Sequence, residues 1–312
     1  MRKFKDYFVL FVKGVAMGGA DVVPGVSGGT IAFITGIYEE LLDSINSIDL
    51  NSLKLLASLK LKEFWKTING NFLLILFSGI LISLFSLAKL IGYLIEFYPI
   101  QLWSFFLGLI IASAILVLRK IKQWNIGVVL SVILGTIIAF LITISAPADT
   151  GDSLITVFFS GMIAICAMIL PGISGSFILL ILGKYEMIIN AVNELKITVL
   201  IVFALGCGMG LAVFSRVIAW ILHRYHNIAI GLLAGFMVGS LNKIWPWKEV
   251  LEFRINSSNE QVPLFDRSIM PNQYFEMTGQ DPHFLQSLLF TCLGIFIVVL
   301  FERIASWASP KN

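Results

Sequence analysis

A chain of 312 residues that is 58% hydrophobic and only 13% charged, with a mean hydropathy of +0.91, is too apolar to fold as an ordinary soluble domain. Its formal net charge of +3 sits in short loops, a distribution that reports topology and contact with anionic headgroups and excludes a nucleic-acid surface. At about 20 residues per crossing the apolar stretches supply several spans, so the expected fold is an all-α polytopic membrane protein.

At the N-terminus, Arg2, Lys3 and Lys5 precede an apolar run ending in Ala-Met-Gly-Gly-Ala20, the outline of a signal peptide. That run flows straight into Asp21-Val-Val-Pro-Gly-Val-Ser-Gly-Gly-Thr30, and the motif returns 147 residues later as Met168-Ile-Leu-Pro-Gly-Ile-Ser-Gly-Ser-Phe177. Cleavage would destroy half of a repeated element, so the run is read as part of the working chain. The same offset relates Gly14 to Gly161, Gly36 to Gly183, Tyr38 to Tyr185 and Glu39 to Glu186. Residues 1–147 and 148–312 therefore read as two repeats.

Apolar length marks six full spans, near residues 72–97, 100–118, 126–146, 196–222, 228–245 and 284–302, three in each half. The motif regions, 8–38 and 155–185, are broken mid-way by Pro and Gly and either cross once or turn back. Charge selects turning back. With two re-entrant hairpins, the N-terminus, Lys54 to Lys66, Arg119 to Lys122, His223-Arg224 and Arg303 share one face. The loop from Ser145 to Ser153, with Asp149 and Asp152 and no Lys or Arg, then falls on the other. That is the positive-inside pattern, with both termini cytoplasmic. Three crossings per repeat is an odd number, so the second half runs inverted and the hairpins enter from opposite faces. Gly108 with Ser113 echoes Gly235 with Ser240 at an offset of 127. Residues 246–283, holding Pro246, Pro263, Pro271 and Pro282, have no counterpart in the first half. They form either a partly ordered cap over the external entrance or a tolerated insertion.

Irregular backbone survives at membrane depth only where protein or a polar cavity surrounds it. Pro24 suits a helix break, Gly25, Gly28 and Gly29 allow unusual dihedrals and close approach, and Ser27 and Thr30 add hydroxyls. A half-helix starting after such a turn aims N–H groups and a positive dipole end inward, which favours an anion, above all a phosphate. Ser174, Gly175 and Ser176 offer the same in the second turn. The competing reading is that the glycines only let helices pack closely. No Lys-Ser or Lys-Thr follows the glycines, so neither turn is a nucleotide-binding P-loop.

Asp21 faces Met168 at the equivalent position, an asymmetry that fits either a coupling proton carrier or a cap on the following half-helix. It makes the first motif the stronger candidate for substrate contact. Glu39 and Glu186 stand near the interface as gating or coupling groups or as solvated helix ends. Arg119 and Arg216 either snorkel or clamp a headgroup phosphate. Lys89 and Glu96 share a helix face and could pair. Cys166, Cys207 and Cys292 lie in apolar segments without metal or disulfide spacing. No cofactor or metal is expected. Gly206, Gly208 and Gly210 suit internal packing or a homo-oligomer face.

The two motifs together resemble the signature of the bacterial family long catalogued as domain of unknown function 368, over nearly the whole chain. The resemblance implies a polyprenyl-phosphate transporter that returns undecaprenyl phosphate from the outer to the inner leaflet of the cytoplasmic membrane, with membrane lipids as its surroundings. The residues alone stop at an anion or lipid-headgroup transporter. A small-anion transporter is the alternative of the same class. A membrane lipid phosphatase is the alternative of another class, and it lacks support: His223, His226 and His283 are the only histidines, and none adjoins a motif.

Overall fold

The computed structural model describes residues 2–22, 26–146, 150–151, 153–255 and 261–308. Pro24 and Gly25 of the first motif, and Asp149 and Asp152 of the charge argument, lie outside the described residues. Helix α1 (Phe4–Asp21) ends at the first motif, and α2 (Gly28–Ile34) and α3 (Tyr38–Asn46) follow it. Two short amphipathic helices come next, α4 (Leu50–Ala57) and α5 (Leu61–Thr67), then the long α6 (Gly70–Phe97), α7 (Pro99–Arg119) and α8 (Ile126–Thr143). Beyond them, α9 (Leu154–Ile169), α10 (Gly175–Ile181), α11 (Tyr185–Asn193), α12 (Ile197–Arg224) and α13 (His226–Ser240) repeat the order without equivalents of α4 and α5.

Three pairs of helices match in length. Helices α2 and α10 have 7 residues each, α3 and α11 have 9, and α6 and α12 have 28. Gly36 and Gly183, at φ +72° and +64°, make the same turn in a region of backbone space that only glycine enters without strain. In the second half that turn sets α10 and α11 at 109°. Tyr98 and Tyr225 make the same break before α7 and α13, at φ/ψ of −136°/46° and −130°/49°.

After α13 the chain leaves the all-helical pattern. Strands β1 (Lys248–Ile255) and β2 (Gln261–Ser268) pair antiparallel, α14 (Pro271–Thr278) follows, and α15 (Phe284–Ala308) closes the chain. The polar 246–283 segment is thus a hairpin with a helix, and it is rooted. Ile100, Trp247 and Ile269 form a small buried cluster. The Trp245 indole N–H donates to the Ile269 carbonyl at 2.8 Å, and that of Trp247 to the Pro282 carbonyl at 2.9 Å.

Among the described residues, four helices are long and apolar enough to cross a membrane: α6 over Gly70–Leu87, α7, α8 and α12. Helix α13 corrects the expected span 228–245. It stops at Ser240 after 15 residues, rising about 22 Å against roughly 30 Å of hydrocarbon, and the chain then turns inward through buried Ile244.

Helices pack in pairs: α1 with α6, α9 with α12, α7 with α15 and α8 with α13. Small residues make each approach possible, as expected where lipid gives no hydrophobic drive between helices. A Cβ on Gly161 would stand 2.6 Å from the Phe203 carbonyl, and Gly108 and Gly294 press on the backbones of Thr291 and Phe105. Gly206 and Gly210 likewise pack on α9, whereas Gly208 faces open space. Exposed Ile82, Phe85, Leu134, Ile137 and Val213 cover the outer faces, as in a helical multi-pass membrane protein.

Candidate functional site: two motif turns in contact

The two motifs meet each other. Ser27 Oγ donates to the Met168 carbonyl at 3.0 Å, and the Gly172 N–H donates to Thr30 Oγ1 at 2.9 Å. Ser27 and Thr30 are fully buried, and Ser174 is nearly so. Gly29 lies so close to the second motif that a Cβ there would stand 2.5 Å from the Ile169 carbonyl. Gly172, at φ +87°, carries the contact onward to α13, where a Cβ would stand 2.9 Å from Met237 Cα.

The first turn satisfies its own donors. The Gly28 N–H donates to Asp21 Oδ1 at 2.7 Å, the Gly29 N–H to Ser27 Oγ at 3.1 Å, and the Thr30 N–H to the Ser27 carbonyl at 2.9 Å. Asp21 therefore acts as a cap on α2, its carboxylate standing where the sequence pattern led us to expect a bound anion. The second turn lacks this arrangement. Met168 offers no carboxylate, Ser174 makes no cap bond to α10, and its hydroxyl pairs with Ser176 Oγ at 2.8 Å.

The family model described as VCA0040-like, undecaprenyl phosphate translocase-like, matches residues 17–262, which include both turns. The chain belongs to that family. A polyprenyl-phosphate transporter of Vibrio cholerae serotype O1 (strain ATCC 39315 / El Tor Inaba N16961) is 46% identical over 303 residues, 97% of this chain and 98% of the relative. A second polyprenyl-phosphate transporter, from Staphylococcus aureus (strain NCTC 8325 / PS 47), is 34% identical over 265 residues, 79% of this chain and 88% of the relative. No solved structure matches the chain.

In this family member the remaining candidate residues stand apart from the turns. Arg119 is exposed at the end of α7. Arg216 is exposed on α12, beside Ser215, whose hydroxyl donates to Asn46 Oδ1 at 2.7 Å. The N–H groups of Ser52 and Asn51, and less strongly the charge of Arg216, hold the Asp49 carboxyl below its ordinary range. No described hydrogen bond or ion pair joins either arginine to a motif. Glu39 is exposed, 4.0 Å from His226 Nδ1, and lines a cavity of about 240 Å³ with Asp43 and His223. Glu186 is half-buried in the first turn of α11. Lys89 and Glu96 are both exposed, and among the described residues no ion pair joins them, which removes the expected pair.

Several polar groups went unread in the sequence. Lys184, at the position equivalent to Ile37, is fully buried and donates to the Gly151 carbonyl. Arg2 pairs with Glu40, which also accepts from Asn69 Nδ2 at 2.9 Å, tying the N-terminus to α3 and the start of α6. Asp266 of β2 takes Lys243 at 3.0 Å and Lys248 at 3.2 Å. Burial pushes Lys248 down to about 8 against the pull of Asp266. Burial opposes the Asp266 charge, but the two lysines outweigh it and hold its carboxyl below the usual range. The signal for this cluster was Lys243 and Lys248 bracketing Trp245 and Trp247, as an interfacial belt does.

Proposed function

We propose that this chain transports polyprenyl phosphate, carrying the phosphate headgroup from the outer to the inner leaflet of the cytoplasmic membrane while the prenyl tail stays in lipid. The observation that carries this reading is the direct contact between the two motif turns, in a family whose relatives are named for that substrate. A headgroup crossing about 30 Å of hydrocarbon needs a polar surface at mid-depth. Paired turns with Ser27, Gly28, Gly29, Thr30, Ser174, Gly175 and Ser176 supply amides and hydroxyls there, with Pro24 and Gly25 completing the first turn.

In this proposal residues 1–147 and 148–312 are inverted repeats, the motif segments 8–38 and 155–185 are re-entrant, and both termini are cytoplasmic. The equal lengths of α2 and α10, α3 and α11, and α6 and α12 support it. So does the exchange of partners between the halves, in which α8 packs on α13 and α15 packs on α7. Rocking of one repeat against the other parts the turns and opens them to each leaflet alternately. When the turns part, Ser27 and Thr30 lose their partners in the second motif and take the phosphate instead. Asp21 returns as the anion on α2 once the headgroup leaves. Arg119 and Arg216 serve as headgroup contacts along the way, and Glu39 and Glu186 as gating groups at the ends of the hairpins.

The test is a leaflet assay in proteoliposomes, with a chemically trappable polyprenyl phosphate. Wild-type protein accelerates its movement between leaflets, and Ser27→Ala and the double variant Ser174→Ala/Ser176→Ala slow it by roughly tenfold, the loss expected on removing hydrogen bonds to a charged group. Saturable uptake of a small anion that polyprenyl phosphate leaves unaffected, with no lipid movement, would replace this reading by the small-anion alternative.

A further inference from the structure

Lys243 follows α13, and its ammonium lies 4.6 Å from the ring centroid of Phe177 in α10, next to Ser176. It also meets Asp266 Oδ2 at 3.0 Å, while Lys248 meets Asp266 Oδ1 at 3.2 Å and donates to the Asn242 carbonyl at 2.9 Å. The three side chains are only 14%, 17% and 19% exposed, in the order Lys243, Lys248, Asp266. Two cations thus share one carboxylate, leaving one excess positive charge in a poorly hydrated place, where charge without a partner is costly. Each oxygen of Asp266 engages a separate ammonium, as two oxygens of a phosphate would.

A lysine also stands over the short motif helix of the first half, though at a non-equivalent position: Lys120, just past α7, lies 5.5 Å from the ring centroid of Phe33 in α2, and among the described residues no acid pairs with it. Asp266 belongs to the 246–283 segment, which has no counterpart in the first half.

We propose that Lys243 and Lys248 form a docking site for a phosphate group, and that Asp266 is its built-in occupant, displaced when a phosphate binds. While Asp266 is seated it occupies both lysines beside Phe177, and a docked phosphate takes its place. This rests on the transport reading above for the source of the phosphate, a lipid headgroup. The site is competent only in the fraction of molecules whose Asp266 has swung away, which weakens apparent affinity by that fraction.

Binding to purified full-length protein in detergent tests this, with farnesyl monophosphate and inorganic phosphate as separate probes. Lys243→Gln and Lys248→Gln should each weaken farnesyl monophosphate binding by roughly tenfold, the loss of one charged hydrogen bond. Asp266→Asn should tighten it by about threefold or more, since it removes the competitor. Trp fluorescence reports whether the hairpin stays rooted in each variant. Lys243→Gln lies outside the strands and carries the test alone if a strand variant unfolds. Unchanged binding in Lys243→Gln, or weaker binding in a folded Asp266→Asn, overturns the proposal. Farnesyl monophosphate binding that equal inorganic phosphate does not displace assigns the site to a lipid headgroup, and full displacement assigns it to free phosphate; either keeps the two-lysine site. Wild-type protein that moves polyprenyl phosphate while these variants bind as wild type would sink this inference and leave the transport reading standing.

Discussion

At the scale of residues, Asp21 and Gly172 show how differently the two copies of one motif are used. Asp21 caps α2 through the Gly28 N–H, so Asp21→Ala should lower stability by about 1 kcal/mol. Asp21→Asn, which keeps an acceptor oxygen, should retain most of it. Thermal unfolding in detergent measures both, and an unchanged midpoint for the alanine variant would remove the cap role. Gly172 combines φ +87° with a Cβ direction that runs into Met237 Cα at 2.9 Å, so Gly172→Ala should cost about 1–3 kcal/mol. Gly208 has open space around its missing Cβ, and Gly208→Ala should leave the midpoint unchanged or raise it. Equal losses at the two glycines would mean that the turn is not the tight element described. Sequence pattern found both motif turns because proline and glycine are local signals. It could not say that the Ser27 and Thr30 hydroxyls bond the other motif, since that depends on residues some 140 positions away.

At the scale of elements, the matching turns were readable because their punctuation is local: Gly36 and Gly183 turn alike, and Tyr98 and Tyr225 break alike. The six apolar stretches all became helices. The end of α13 was misplaced because Ile244 and Trp245 prolong the apolar run, yet Ile244 packs into the main core and Trp245 also packs against the root of the β1–β2 segment rather than extending the helix. Likewise α4 and α5 read only as a basic loop. Asp49 nevertheless caps α4 by accepting from the Ser52 N–H at 2.7 Å, and Leu50, Leu53 and Leu56 place an exposed apolar face on it. Glycine contacts bind the helix pairs, so Gly108→Leu should force α7 from α15 and Gly235→Leu should force α13 from α8, each costing about 1–3 kcal/mol or more. Yield of folded protein by gel filtration measures this, and normal yield from both variants would contradict the close approach.

At the scale of the whole molecule, the proposed inverted repeats place α4–α5 inside and the 246–283 segment outside. Lys62→Cys should then react with an impermeant thiol reagent only in inside-out vesicles, and Glu276→Cys only in intact cells. Labelling of both from one side would reject the inverted arrangement. The central claim is that transport requires the two turns to part. Ser27→Cys with Met168→Cys, in a chain whose Cys166, Cys207 and Cys292 are replaced, can be joined by a short bifunctional thiol reagent with a reducible linker, because the bond from Ser27 Oγ to the Met168 carbonyl at 3.0 Å holds the two positions together. Cross-linking should stop movement of polyprenyl phosphate between the leaflets of proteoliposomes, and reduction of the linker should restore it. Transport by the cross-linked protein at the rate of the reduced protein would contradict the account.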